Sequence, residues 1–249
     1  MANQASRKGT MPAFSQTVID YWEKPFVNGD ILYRDNVFSV TINSTLDADR
    51  QIMVLETADG RVRVALTPQL ADRLGLYPFH DMSERTFREK LNEAGVKLHG
   101  ADYVFYYTDA QKNALLQESV KGELRQLTEE DSEVFSAFQS SSSEQDLDDA
   151  YVELEHWAVF GSFEQNQLVC AASMYPWEND KIADLGVLTL ASYRGKGHAR
   201  KVVRSISKYA YEHGHEPQYR CQLDNEASTS LAKSAGLTLF GKWDVISSE

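Results

Sequence analysis

The period of the apolar positions changes several times along this chain, and the changes mark its elements. Period-two alternation runs through "VFSVTI" (37–42), "RQIMVLE" (50–56) and "RVRVAL" (61–66), which predicts three strands. The last two flank "TADG", whose Asp59-Gly60 pair is a hairpin signal because tight turns between strands need positive φ. A helix is expected near Phe14–Trp22. A second, "TPQLADRL", opens on Thr67 as N-cap with Pro68 at the first helical position. A third, "SERTFREKLNEAG", is capped by Ser83 and stopped by Gly95. "DYVFYYT" (102–108) reads as a strand and "DAQKNALLQES" (109–119) as a helix or linker.

Beyond residue 118 the pattern is more regular. "ELRQLT" (123–128) is a strand. Two helices follow, "EEDSEVFSAFQSS" and "SEQDLDDAYVEL", with the polar break "SSSS" (140–143) between them. Three strands come next, at 156–163, 167–175 and 181–190, with "NQ" and "END" at the turns. The segment 197–214 is a helix with Ala199, Val202, Val203, Ile206, Tyr209 and Ala210 on one face. A strand "QYRCQL", a helix "EASTSLAKSAG" ended by Gly236, and a strand "LTLFGKWDVI" complete the chain. The order is β-α-α-β-β-β-α-β-α-β. The expected organisation is a smaller α+β domain at 1–118 and a second α/β domain at 119–249.

Composition narrows the class. The chain has 249 residues, 42% hydrophobic and 11% aromatic, enough for packed cores. Its formal net charge of -12 argues against a general nucleic-acid or membrane binder. The opening "MANQASRKGT" lacks the apolar core of a signal peptide and reads as a loose tail. No apolar run approaches the ~20 residues that span a bilayer. Cys170 and Cys221 lie far apart in strand-like contexts without metal-ligand spacing, so two buried reduced thiols are expected. A cytoplasmic protein is the expectation.

Against this acidity, "LASYRGKGHARKVVRSISKYA" (190–210) concentrates cations where the backbone is barest. A strand runs into a turn, and a helix begins among glycines. A helix start presents unpaired N–H groups and partial positive charge, and glycines let an anion approach the backbone. Arg194, Lys196, Arg200 and Lys201 add side-chain charge. A Walker loop needs Gly-Lys-Ser/Thr after its second glycine, and none follows Gly197. A dinucleotide fingerprint needs Gly or Ala where Arg200 stands.

Arg194-x-x-Gly197-x-Ala199 resembles the Arg/Gln-x-x-Gly-x-Gly/Ala motif of the GNAT superfamily of acetyl-CoA-dependent N-acetyltransferases. "NEASTSLAKSAGL" (225–237) is similar to that family's second signature helix, with Asn225, Ser228, Leu231 and Gly236 matching and Leu237 replacing a Phe. The element order matches too, over about residues 120–249. The resemblance implies a GNAT-like α/β (α+β) fold, a mixed, mostly antiparallel sheet flanked by helices. It also implies acetyl-CoA as acetyl donor. The pantetheine arm would pair with the strand edge at Val187, Leu188 and Thr189. The pyrophosphate would sit on N–H groups of Gly195, Lys196, Gly197, His198 and Ala199, with Arg194 beside it. Asn225 would contact the pantetheine arm.

The reaction implied is direct attack of an amine on the thioester, which needs a proton acceptor and a proton donor. Here the chain departs from the family: Ala232 stands where many members have a tyrosine acid, and Arg220 where some have a glutamate. Asp184 is the first candidate base, with Asp180 four residues before it on the same side of the strand, and His156 as the alternative. "HGH" (213–215) reads as a helix-terminal pair, and no metal is expected. The departures keep open a second reading, an acyl-CoA-binding or sensing module with little catalysis. The acceptor is expected to be a small-molecule or peptide amine. No nucleic acid or membrane is expected as a partner, and a homodimer is left open. The N-terminal domain has no paired-glycine loop, is expected to bind no CoA, and is a candidate wall for the acceptor cleft.

Overall fold

The computed structural model of the protein describes residues 13–47, 50–77, 82–119, 123–177 and 180–246. The tail expected over residues 1–10, and part of the turn expected at 178–180, lie outside the described residues.

The first half contains α1 (Gln16–Val27), β1 (Asp30–Arg34), β2 (Phe38–Ile42), β3 (Ile52–Thr57), β4 (Val62–Leu66), α2 (Pro68–Arg73), α3 (Glu84–Glu93), β5 (Asp102–Tyr106) and α4 (Asp109–Leu116). Thr67, Ser83 and Thr108 cap α2, α3 and α4 by accepting backbone N–H groups three residues on. Helix α1 runs five residues past the expected Trp22. Pro25 lies inside its last turn, where it donates no N–H to the helix, and Asn43 Nδ2 donates to the Pro25 carbonyl at 2.8 Å. The pattern missed β1: "DILYR" is an edge strand, exposed to half-buried throughout, so no buried face imposes alternation.

The second half contains β6 (Leu124–Gln126), a 3-10 turn at 129–131, α5 (Ser132–Ser140), α6 (Glu144–Ala150), β7 (Ala158–Glu164), β8 (Gln167–Pro176), β9 (Ile182–Thr189), α7 (His198–Glu212), β10 (Glu216–Gln222), α8 (Glu226–Ala235) and β11 (Thr238–Val245). This is the expected order. The β7–β8 hairpin turns on Gln165 and Asn166, φ 52 and 66, one residue earlier than "NQ" suggested.

Among the described residues, eleven strands join one sheet in the order β1-β2-β4-β3-β11-β5-β10-β9-β8-β7-β6. There, β2–β4 and β9–β10 pair in parallel and the other pairs are antiparallel. The architecture is therefore the expected mixed, mostly antiparallel sheet flanked by helices. The sheet is continuous across residue 118. Strand β5, from before that point, lies between β10 and β11, while β11, from the chain's last elements, reaches back to pair with β3.

Helix α7 anchors the second half. Val202, Val203, Ile206 and Ala210 are wholly buried against the sheet, with Ala199 and Tyr209 packed beside them. Each buried Val or Ile contributes about 1.5–3 kcal/mol, which fixes the direction in which the helix N-terminus points. Among the described residues no helix is long and apolar enough to cross a membrane.

Candidate active site

The parallel ladder between β9 and β10 stops early. Its last pair is Tyr219↔Leu185, yet β9 continues to Thr189 and β10 to Gln222. Over Gly186–Thr189, β9 stays bound to β8 on its other side, so the edge facing β10 is left open. A strand edge with unpaired N–H and C=O groups is a template for an extended ligand.

From this opening a cavity of about 650 Å³ runs to the start of α7. It is lined by Val187, Leu188 and Thr189 on β9, by Arg194, Gly195 and Gly197–Arg200, and by Asn225 and Ser228 at the start of α8. Gly195 and Gly197 have φ of 76° and 85°, and a Cβ at either would meet nothing within 4 Å. The glycines are thus required by conformation, and the space before them is open. Helix α7 has no side-chain cap, since its N-cap is Gly197, so its first N–H groups face that space.

The loop side chains are arranged around this backbone. Arg194 donates from Nη2 to Asp146 at 2.8 Å and from Nε to the Thr189 carbonyl at 3.2 Å, tying α6 to the end of β9. Lys196 lies over the Tyr193 ring, 4.5 Å from its centroid. His198 turns its ring away, with Nδ1 2.9 Å from Ser162 Oγ and Nε2 3.1 Å from Glu164, so it offers the cavity only its backbone. Arg200 and Lys201 are exposed and make no ion pair among the described residues. Asn225 caps α8, its Oδ1 accepting the Ser228 N–H at 2.9 Å. These features fit a phosphate-bearing cofactor with an extended arm: bare amides, an open strand edge and two uncommitted cations. Arg194 and His198 act more as scaffold than as charge.

A second cavity of about 350 Å³ adjoins the first, sharing Asp149, Ala150, Val187, Asn225 and Ser228 with it. Asp184 lies on its floor, only 6% exposed. Its carboxylate accepts from Arg220 Nε at 3.1 Å, Arg220 Nη2 at 2.8 Å and Gln218 Nε2 at 2.8 Å, and the Tyr175 hydroxyl stands 3.4 Å away. Arg220 also donates to Asp102 at 3.0 Å and lies 4.2 Å from the Trp177 ring centroid. Burial opposes the charge on Arg220, but Asp184 and Asp102 outweigh it and hold the guanidinium above its ordinary value. Burial pushes the Asp102 carboxyl up despite the pull of Arg220. Below the floor, Trp22 Nε1 donates to the Tyr106 hydroxyl at 2.8 Å, and that hydroxyl donates to Gln218 Oε1. A buried chain of hydrogen bonds therefore runs from α1 to Asp184.

The other proton-transfer candidates are scattered. Asp180 precedes β9 and accepts the Lys181 N–H at 2.7 Å, so it does not share a strand face with Asp184 as expected. His156 does not line the cleft. Its Nδ1 is 2.7 Å from Ser173 Oγ, its ring packs on Tyr151 and Tyr175, and burial pulls its pKa below the ordinary value. His213 and His215 each place Nδ1 within 3.0 Å of a backbone carbonyl. Cys170 and Cys221 are free and buried, and burial pushes the Cys170 thiol up to about 12.

Sequence reasoning missed Tyr175, Tyr219, Asp102 and Tyr151. Tyr175 sits opposite Asp184 only through the β8–β9 register, and Asp102 arrives on β5. Tyr219 closes the β9–β10 ladder, and burial pushes its hydroxyl up to about 12. Tyr151 ends α6 at φ 47°, over Gly186, where any Cβ would run into the Ala150 carbonyl. Glycine at 186 is what lets α6 roof the cleft.

A splayed parallel pair beside an uncapped helix start makes a groove shaped for an extended, phosphate-bearing ligand. The chain belongs to the GNAT acetyltransferase family, whose model matches residues 79–246, more than half its length. GNAT acetyltransferases use acetyl-CoA. The match begins before residue 118 and so includes β5. Among solved structures, the chain resembles an acetyltransferase of the GNAT family from Colwellia psychrerythraea, at 18% identity and TM-score 0.51, over 77% of this chain and 79% of that one. It also resembles a GNAT-family acetyltransferase from Novosphingobium aromaticivorans, at 15% identity and TM-score 0.44, over 61% of this chain and 66% of that one. A third is an aminoglycoside N-acetyltransferase in complex with CoA, at 16% identity and TM-score 0.36, over 45% of this chain and 89% of that one. No curated protein matches the chain.

Proposed function

We propose that this protein is a cytoplasmic N-acetyltransferase that moves an acetyl group from acetyl-CoA to an amine. The observation that carries the reading is the early end of the β9–β10 ladder at Leu185–Tyr219, on the same cavity as the bare N-terminus of α7. The cofactor would supply an acetyl group activated as a thioester. The edge at Val187, Leu188 and Thr189 would hold the pantetheine arm. The amides of Gly195, Lys196, Gly197, His198 and Ala199 would hold the diphosphate, and Arg200 and Lys201 the remaining phosphate charge. Asn225 faces both cavities and would contact the arm.

The amine would enter through the 350 Å³ cleft. One N–C bond forms and one C–S bond breaks. An ammonium acceptor gives up two protons, one ending on sulfur and one in solvent. Asp184 is engaged by Arg220 and Gln218, so we assign it as the anchor of the cleft floor rather than as the proton acceptor. Cleft water takes the first proton. The Tyr219 hydroxyl keeps its proton at neutral pH and stands at the point where the strands part, so we assign it as donor to the leaving sulfur, its phenolate regaining the second amine proton through cleft water.

Calorimetric titration with acetyl-CoA, followed by thiol release across an amine panel, tests the reading. Micromolar binding with amine-dependent thiol release is the expected result. Binding without turnover on any amine would instead leave an acyl-CoA-binding module.

A further inference from the structure

The cleft's charge is unbalanced. Among the described residues it is lined by four carboxylates, Asp102, Asp148, Asp149 and Asp184, and by one cation, Arg220. That cation is already consumed: two of its nitrogens serve Asp184, a third serves Asp102, and its face is covered by Trp177. A carboxylate-bearing acceptor therefore finds no cation to meet it. Asp148 and Asp149 are exposed at the end of α6, a helix with Glu144 and Asp146 in its first turn and no basic residue in its last. Carboxylates at a helix C-terminus oppose the dipole at a cost of roughly 0.3–1 kcal/mol each. Asp149 Oδ1 accepts from Gln145 Nε2 at 2.7 Å, a neutral donor that leaves the charge in place, whereas a cation bound in the cleft offsets it. The exposed Tyr151, packed edge-to-face on Tyr175 with centroids 5.7 Å apart, stands at the same opening and offers ring surface to a cation.

We propose that the acceptor is a small amine carrying at least two cationic centres. One ammonium is held by Asp148 and Asp149 against Tyr151 while another amine, on the same molecule, reaches the parting of β9 and β10. This inference rests on the transferase reading above and adds the substrate class. The chemistry is coherent. A held ammonium lowers the pKa of its neighbour by like-charge repulsion, which favours the neutral nucleophile that attack requires. The cleft volume of about 350 Å³ is near the low end of small-molecule sites, about 300–1,000 Å³, and suits a linear polyamine or a small aminosugar.

The test uses the full chain with acetyl-CoA and four acceptors: spermidine, an aminosugar with several amines, n-butylamine, and a lysine-rich peptide. Acetyl-CoA affinity is measured in parallel by calorimetry. The expected result is kcat/KM for spermidine or the aminosugar at least 100-fold above n-butylamine, with KM rising as salt is added. The better of the two identifies the scaffold. Asp148→Asn with Asp149→Asn raises that KM at least 10-fold and moves kcat less. Equal turnover of n-butylamine, preference for the peptide, or an unchanged KM in the double variant overturns the substrate class while leaving the transferase reading intact. Should acetyl-CoA bind with no turnover, spermidine titrated into that complex decides the matter: no binding overturns the proposal. If acetyl-CoA itself fails to bind, both readings fall together.

Discussion

At the α7 end of the groove, the groups facing the cavity are peptide N–H groups from one stretch, 194–199. At the cleft end they are side chains from several elements: Asp102 of β5, Asp148 and Asp149 of α6, Tyr175 of β8, Asp184 of β9, and Tyr219 and Arg220 of β10. The first end depends on conformation, through two glycines at positive φ and a helix start left uncapped. The second depends on charge arithmetic and on a buried hydrogen-bond chain from Trp22. Backbone recognition suits a ligand common to a family, because it constrains few side chains. Side-chain recognition leaves the acceptor free to vary from one member to the next.

Removing Arg220 should break the comparison hardest. Arg220→Met leaves Asp184 buried and unpaired and should cost about 3–5 kcal/mol of stability, read as a lower urea midpoint, whereas changes in the α7 loop should cost far less. Tyr219→Phe should lower kcat by about 100-fold with acetyl-CoA affinity unchanged, which confines its effect to proton transfer. Gly197→Val should weaken acetyl-CoA binding at least 10-fold by calorimetry. Its cost in stability should be only about 1–2 kcal/mol, the strain of a branched residue at positive φ, because nothing lies near its Cβ. Trp22→Phe removes the first donor of the buried chain and should cost about 1 kcal/mol. A higher acceptor KM in that variant would tie the N-terminal helix to the cleft end.

The smallest effect concerns pH. Burial holds the folded His156 ring below its ordinary 6.5, against the pull of Glu153 and Glu155. The unfolded ring therefore takes up a proton first as pH falls. The contribution to stability is full above about 6.5 and declines as pH drops through that value. Urea midpoints at pH 5.5 and 7.5 should differ less in His156→Gln than in the parent.

How far each end could be read in advance follows from the same contrast. The loop's glycines, the strand before it and the apolar face of α7 are neighbours in sequence, so spacing alone placed them. The cleft depended on registers that periodicity does not encode. Tyr175 meets Asp184 through the β8–β9 pairing, and Asp102 reaches Arg220 because β5 inserts between β10 and β11. Asp184 was located on the right strand, but the partners that occupy its carboxylate lie one strand away. The continuity of the sheet across residue 118 was equally hidden, because β11 and β5 alternate as any half-buried strand does.

The sequence by itself determined the elements of the second half, the family resemblance and the glycine-rich loop before α7, because caps, glycines and amphipathic periods act over a few residues. Tertiary structure alone decided which strands are neighbours, where the β9–β10 ladder ends, and that Arg220 is neutralised by carboxylates from two sides. Strand neighbours and ion pairs are contacts between distant positions. Their energy depends on register and burial, which exist only once the sheet has closed.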